Sequence, residues 1–155
     1  MRHAHCWVAI CLMLGMLLPG CSSTPKPVNV RAVVEAQKNV NPDSKGRASP
    51  VIVRVYELKS LATFNDLDFF SLYERDKETL GAEMLAREEL QLKPGESRLI
   101  ERPLQLDTRY VGVVAAFRDL ARAQWRASVA IPAERKKLPL AIGVDKTKIS
   151  ITIPE

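Results

Sequence analysis

The sequence predicts an all-β fold, a two-sheet β-sandwich with a short helical insertion between its second and third strands. Three observations predict it. Seven or eight short runs place apolar, often β-branched residues at every second position. Pro, Gly, Asn and Asp punctuate those runs at near-regular intervals, as in sandwiches. The apolar period changes clearly from two to helical in one place, over residues 64–80.

Ahead of the first strand lies a segment of another kind. Arg2 is followed by an unbroken apolar stretch, Cys6–Leu18, and then Pro19-Gly20-Cys21. The stretch is shorter than the roughly 20 apolar residues that span a bilayer, but it suits the h-region of a signal peptide. Residues 1–20 are therefore expected to be a lipoprotein signal peptide, removed before Cys21, with acyl chains on the Cys21 sulfur and its new amino group. Residues 21–27 form a polar, proline-bearing tether, and residues 28–155 the folded domain. Extended at about 3.1 Å per residue, the tether reaches on the order of 20 Å.

The first strand is predicted over Val28–Gln37. Val28, Val30, Ala32, Val34 and Ala36 alternate with polar residues, with one slip at Val33. Lys38–Pro50 reads as a long loop carrying Asn41-Pro42 and Gly46, and loops of that length are commonly functional or disordered. Val51–Leu58 is the clearest strand. Within the insertion Phe64–Leu80, Asn65 is the expected helix cap, with Asp66 and Asp68 in the first turn where the dipole favours them. Phe69, Leu72 and Tyr73 share a stripe. Asp76 opens a second short turn that ends at Gly81.

Met84–Leu92 is ambiguous, because Met-Leu-Ala-Arg-Glu-Glu-Leu favours helix by propensity while its end reads as a strand entering the Pro94-Gly95 turn. Ser97–Leu106 is predicted as a strand with Ile100, Leu104 and Leu106 in phase. Pro103 cannot donate to a ladder, which makes this an edge strand or a bulge. Tyr110–Arg118 is apolar on both faces and suits a central position. Trp125–Ile131, Leu138–Val144 and Lys148–Ile153 complete the set, the last two joined at Asp145-Lys146.

Removal of residues 1–20 takes both histidines, Cys6 and Cys11. Imidazole-based catalysis and His/Cys zinc sites then have no side chains to use. No G-x-S-x-G, P-loop or G-x-G-x-x-G motif occurs. The mature chain keeps all of its Lys and Arg except Arg2, and all 18 Asp and Glu. The two signs are interspersed, unlike the clustered stripe of a nucleic-acid binder. About 135 residues can bury a single core without disulfides.

Several motifs, in order, carry a family likeness: the Cys21 lipobox, Asn41-Pro42 with Gly46, Pro50–Leu58, the Phe64 and Asp68-Phe69 insertion, Leu92–Glu96, Val111–Asp119 and Trp125-Arg126. Together they resemble the outer-membrane lipoprotein of the type VI secretion system (T6SS), the TssJ (SciN-like) family. The resemblance implies a transthyretin-like sandwich, with a strand rather than a helix at Met84–Glu89, anchored in the outer membrane by lipid on Cys21 and facing the periplasm. It implies a structural protein rather than an enzyme, with no cofactor, metal, nucleic acid or small-molecule substrate. The implied partner is the periplasmic C-terminal region of a large inner-membrane IcmF-like (TssM) protein. The family's contact loop corresponds here to 38–50, which makes Asn41, Pro42, Asp43, Ser44, Lys45, Gly46 and Arg47 the candidate partner-binding residues. Asn41, Pro42 and Gly46 are expected to fix the loop's shape, and Asp43, Lys45 and Arg47 to set its charge. A periplasmic ligand-binding lipoprotein built on the same sandwich is the alternative. Phe117, Tyr56 and Trp125 are read as core aromatics, Arg118 with Asp119 as a pair or cap, and Asp66 with Asp68 as helix-end charges.

Overall fold

Two four-stranded sheets face each other across one apolar interior in the computed structural model, which describes residues 27–155. The expected signal peptide, the expected lipidation at Cys21 and most of the expected tether lie outside the described residues. The strands are β1 (Asn29–Ala36), β2 (Val51–Leu58), β3 (Met84–Leu92), β4 (Ser97–Pro103), β5 (Tyr110–Ala116), β6 (Arg126–Ala130), β7 (Lys137–Val144) and β8 (Ile149–Thr152). One sheet has the order β4-β1-β7-β8 and the other β3-β2-β5-β6. Pairing within the sheets is antiparallel except between β1 and β7, which run parallel with Asn29 opposite Lys137 and Ala36 opposite Val144.

Period two in the sequence becomes inside and outside in the sandwich. On β1, Val30, Ala32, Val34 and Ala36 are buried, while Val33, the slip, faces solvent at 41% exposure. Val51, Val53 and Val55 of β2 join them, with Leu138, Leu140, Ile142, Val144 and Ile149 from β7 and β8. Each such side chain contributes roughly 1.5–3 kcal/mol on burial.

β2 and β5 are covered on both faces because a second apolar cluster lies behind them. Helices α1 (Ala62–Asp66), α2 (Phe69–Glu74) and α3 (Asp76–Leu80) cover the outer face of their sheet. Phe64, Phe69, Leu72 and Leu80 pack there on Tyr56, Leu58 and Val114. Gly112 gives Phe64 its place: a Cβ at 112 would lie 2.8 Å from Phe64 Cζ and 3.0 Å from Leu58 Cδ1. Gly112→Ala is expected to cost about 1–3 kcal/mol by overpacking. Thermal denaturation checks this, and an unchanged midpoint would mean that the insertion shifts freely.

Ion pairs fasten the insertion. Asp76, only 3% exposed, accepts hydrogen bonds from Arg87 Nη1 at 2.5 Å, the Tyr56 hydroxyl at 3.1 Å and Arg54 Nη1 at 3.4 Å. Arg54 also donates to Glu89 at 2.6 Å and to the Tyr73 carbonyl, and lies 3.8 Å above the Tyr73 ring. Burial pushes the Tyr56 hydroxyl well above the ordinary phenol range. Arg126 donates to the carbonyls of Phe64 and Leu67 at 2.9 and 2.7 Å, satisfying the end of α1.

Three local expectations need correction. Asn65 lies inside α1, and the side-chain cap of α2 is Asp68, whose carboxylate accepts from the Ser71 amide at 3.0 Å. Those bonds hold the Asp68 carboxyl below its usual range. Asp76 is the buried centre just described. The strand predicted to Leu106 ends at Pro103, leaving Leu104 buried and Leu106 58% exposed in a loop. Met84–Leu92, ambiguous in the sequence and a strand by the family resemblance, is a strand ladder against β2; pairing to that strand outweighs a helix propensity of about tenths of a kcal/mol per residue.

The strands define two ends of the body. At one end stand the start of β1, the β4–β5 loop and the β6–β7 loop, tied together by Asn29 N–H to Lys136 O at 3.0 Å and Leu104 N–H to Val28 O at 2.8 Å. At the other end gather the β1–β2 loop, the β3–β4 turn, the β5–β6 connection and the β7–β8 turn. The eight residues of β1 separate the two by about 26 Å.

Candidate functional site: the cleft at the loop end

The 38–50 loop is built from its inside outward. Val40 is fully buried in the sandwich core and Asn41 is 4% exposed. Asn41 has a positive φ of 48°, the left-handed region that asparagine tolerates better than most residues. Its side chain joins separate segments: Nδ2 donates to Pro50 O and Oδ1 accepts from the Arg118 amide, both at 2.7 Å. Its own amide donates to Lys146 O at 3.1 Å, and Ser49 N–H donates to Val40 O at 3.1 Å. One buried side chain therefore sets the loop against the β5–β6 connection, while its backbone meets the β7–β8 turn.

The exposed half is a self-contained clasp. Asp43 Oδ1 accepts from the amides of Lys45 and Arg47, both at 2.9 Å. Asp43 Oδ2 takes Arg47 Nε at 2.8 Å and Nη2 at 2.7 Å. The Arg47 bonds, backbone first, hold the Asp43 carboxyl below its ordinary value. Its contribution is thus present above the ordinary carboxylate range and fades as pH falls through the lowered value. Gly46, at φ 76°, closes the turn by donating to Asp43 O at 2.9 Å.

These bonds sort the candidate residues. Asn41 is a buried shaping residue. Asp43 and Arg47 neutralise each other. Pro42, Asp43, Ser44 and Gly46 line one wall of an open cleft of about 770 Å³, and Lys45 stands exposed at the tip. The opposite wall is Arg118, Asp119, Arg122, Lys146 and Thr147, which the sequence reading did not assign to a site. Asp119 pairs with Arg122 at 2.7 Å rather than with Arg118. Among the described residues, Arg118 and Lys146 on the cleft wall and Lys45 beside it are exposed and in no ion pair, so the cleft and its rim carry positive charge. The sequence signals were present in Phe117-Arg118-Asp119 and the Asp145-Lys146 turn, but they lie far apart along the chain from residues 41–47.

The type VI secretion lipoprotein family that includes VasD, EvfM, TssJ and VC_A0113 (T6SS-SciN) matches residues 28–151. No curated protein matches. Among solved structures, the T6SS lipoprotein TssJ1 from Pseudomonas aeruginosa is similar with a TM-score of 0.80 and 38% identity, over 84% of this chain and 98% of that one. Serratia marcescens Lip, a membrane-bound component of the T6SS, follows at 0.75 and 28%, over 84% and 99%. A chain in the structure of the T6SS protein TssM C-terminal domain (869–1107) from EAEC shares the fold at 0.67 and 23%, over 82% and 98%. The family match runs from the edge of β1 into β8 and is joined by a 38% identical solved relative, so this chain belongs to the type VI secretion lipoprotein family.

Proposed function

We propose that this chain is the outer-membrane anchor of a type VI secretion membrane complex. On this reading residues 1–20 are removed and lipid on Cys21 holds the protein at the inner leaflet. Residues 21–27 are the tether. The 28–155 sandwich grips the periplasmic C-terminal region of a TssM-like (IcmF-like) inner-membrane protein. Its work is mechanical coupling of two membranes, without catalysis and without a cofactor beyond the lipid.

The observation that carries the proposal is the opposition of the two ends. The tether enters at the start of β1, and the basic cleft lies about 26 Å away, at the far end of that strand. An anchored body so built presents its cleft away from its own membrane. Support also comes from the chain of this fold in the TssM structure. That chain is 98% covered by 82% of the present one, too short to be the whole 869–1107 span. A ligand-binding lipoprotein calls for a largely apolar, enclosing pocket. The open cleft with charged walls suits a macromolecule better.

Calorimetric titration of the sandwich with the periplasmic C-terminal region of the TssM-like protein tests the site. Reversing Lys45, Arg118 and Lys146 to Glu is expected to weaken affinity at least tenfold, through lost charge complementarity. The thermal midpoint should stay nearly constant, because all three side chains are exposed. Unaltered affinity would move the contact elsewhere on the sandwich.

A further inference from the structure

The opposite end of the sandwich carries a surface that the partner site does not use. We infer that this end docks on an anionic phospholipid surface, seating Leu106 at the headgroup boundary and Arg135, Lys136 and Lys137 on lipid phosphates. The inference rests on the anchor reading above, and it adds an orientation to that anchor.

The β4–β5 loop displays Leu106 by construction. Glu57, 1% exposed, reaches this loop from β2. Its Oε2 accepts from the Gln105 amide at 2.7 Å and from the Thr108 hydroxyl at 2.9 Å, while Oε1 pairs with Arg102. Residues on both sides of Leu106 are thus tied to one buried carboxylate, and Leu106 is held outward at 58% exposure. A lone exposed leucine is ordinary on a protein surface. This one stands beside the strand through which the lipidated terminus enters, since Leu104 N–H bonds the Val28 carbonyl.

The charge on this end matches the surface it meets. Arg109, Arg135, Lys136 and Lys137 are all exposed. Among the described residues none of them is in an ion pair; Glu134 is the one acid of the 131–136 loop, and Asp107 beside Leu106 is paired with Lys59 at 3.6 Å. Lys136 is fixed to the start of β1 by its carbonyl, and Lys137 lies opposite Asn29 in the β1–β7 register. Six residues, Ser22 to Pro27, separate Cys21 from Val28. At about 3.1 Å each they keep this end within roughly 20 Å of the bilayer, so the basic loop samples the surface at high effective concentration. Near an anionic surface each Lys or Arg favours the docked state about fivefold. The lipid gives retention, and the basic loop with Leu106 gives direction. A body docked at this end holds the cleft toward the periplasm, whereas a freely tumbling one does so only part of the time.

The test uses the lipidated full-length chain in vesicles with and without phosphatidylglycerol. A Leu106→Cys variant carries an environment-sensitive fluorophore, and a Lys45→Cys variant carries the same probe at the far end. After lipidation neither variant has another free thiol. At position 106 we expect quenching by lipid-borne quenchers in phosphatidylglycerol vesicles, lost in high salt and on Arg135→Glu with Lys136→Glu and Lys137→Glu. At position 45 we expect no quenching. If the protein floats with the vesicles while both probes remain equally open to aqueous iodide, docking is overturned and the anchor reading stands. Failure to float with the vesicles at all would overturn the anchor reading and the docking with it.

Discussion

Glu57→Ala lowers the stability of the sandwich by about 3–5 kcal/mol, the range for removing one partner of a buried charge pair. The carboxylate holds Arg102, the Gln105 amide and the Thr108 hydroxyl at one point. Truncation leaves these donors facing an apolar interior that includes Val55, Val111 and Leu140. Arg102 is 31% exposed and has Glu88 within 3.4 Å, so it turns outward at modest cost. The β4–β5 loop has no such exit, and its buried Thr108 hydroxyl stays unsatisfied. Out of a typical total of about 5–15 kcal/mol this is a large fraction, and at about 2–4 °C or more per kcal/mol it lowers the midpoint by roughly 10 °C. Urea titration of Glu57→Ala and Glu57→Gln is the measurement. Glu57→Gln should lose less, since it keeps the volume and one acceptor. A loss below about 1 kcal/mol for Glu57→Ala would show that the loop is fastened by other means.

Cys21→Ser, combined with an ordinary cleavable secretory signal, releases the whole protein into the soluble periplasm and abolishes secretion. The effect is expected to be all-or-none because, on the proposed anchor reading, retention rests on acyl chains at about 0.8 kcal/mol per buried CH₂, and the basic loop alone is too weak to replace them. Affinity of the released domain for the TssM-like region in solution should equal that of the lipidated form, since the cleft lies at the far end of β1. Membrane fractionation with a secretion assay reads the first effect and calorimetry the second. Full secretion from the soluble form would dispose of the anchoring role.

How much was legible varies by element. The burial of β1 and β2 follows their apolar alternation residue by residue, because each strand puts successive side chains on opposite faces. Pro103 left an edge strand or a bulge, and β4 is an edge strand, since proline has no amide to give a second neighbour. The apolar character of both faces of Tyr110–Arg118 marked a central strand, and β5 lies between β2 and β6. Local pattern was ambiguous at residues 84–92, where a helix-forming composition pairs with β2 as the family resemblance implied, and it misled at Asn65, where Asp68 takes the cap.

The sequence by itself determined the sandwich class and the place of the insertion, located the long loop between the first two strands, and raised the expectation of a lipid anchor at Cys21. These rest on short-range regularities: period two, turn residues and a signal-peptide grammar. Only the tertiary structure decided the parallel pairing of β1 with β7, the burial of Glu57 and Asp76 among arginines, and the second wall of the cleft from Arg118 and Lys146. Each of these joins residues distant along the chain, from 11 positions for Asp76 and Arg87 upward. Nothing local in the chain distinguishes a glutamate bound for solvent from one that will meet Arg102 across the interior. Asn41 shows both halves of the division. Its type announced a turn, and its function as the side chain that ties Pro50 to Arg118 appeared only when three loops met at one end of the sandwich.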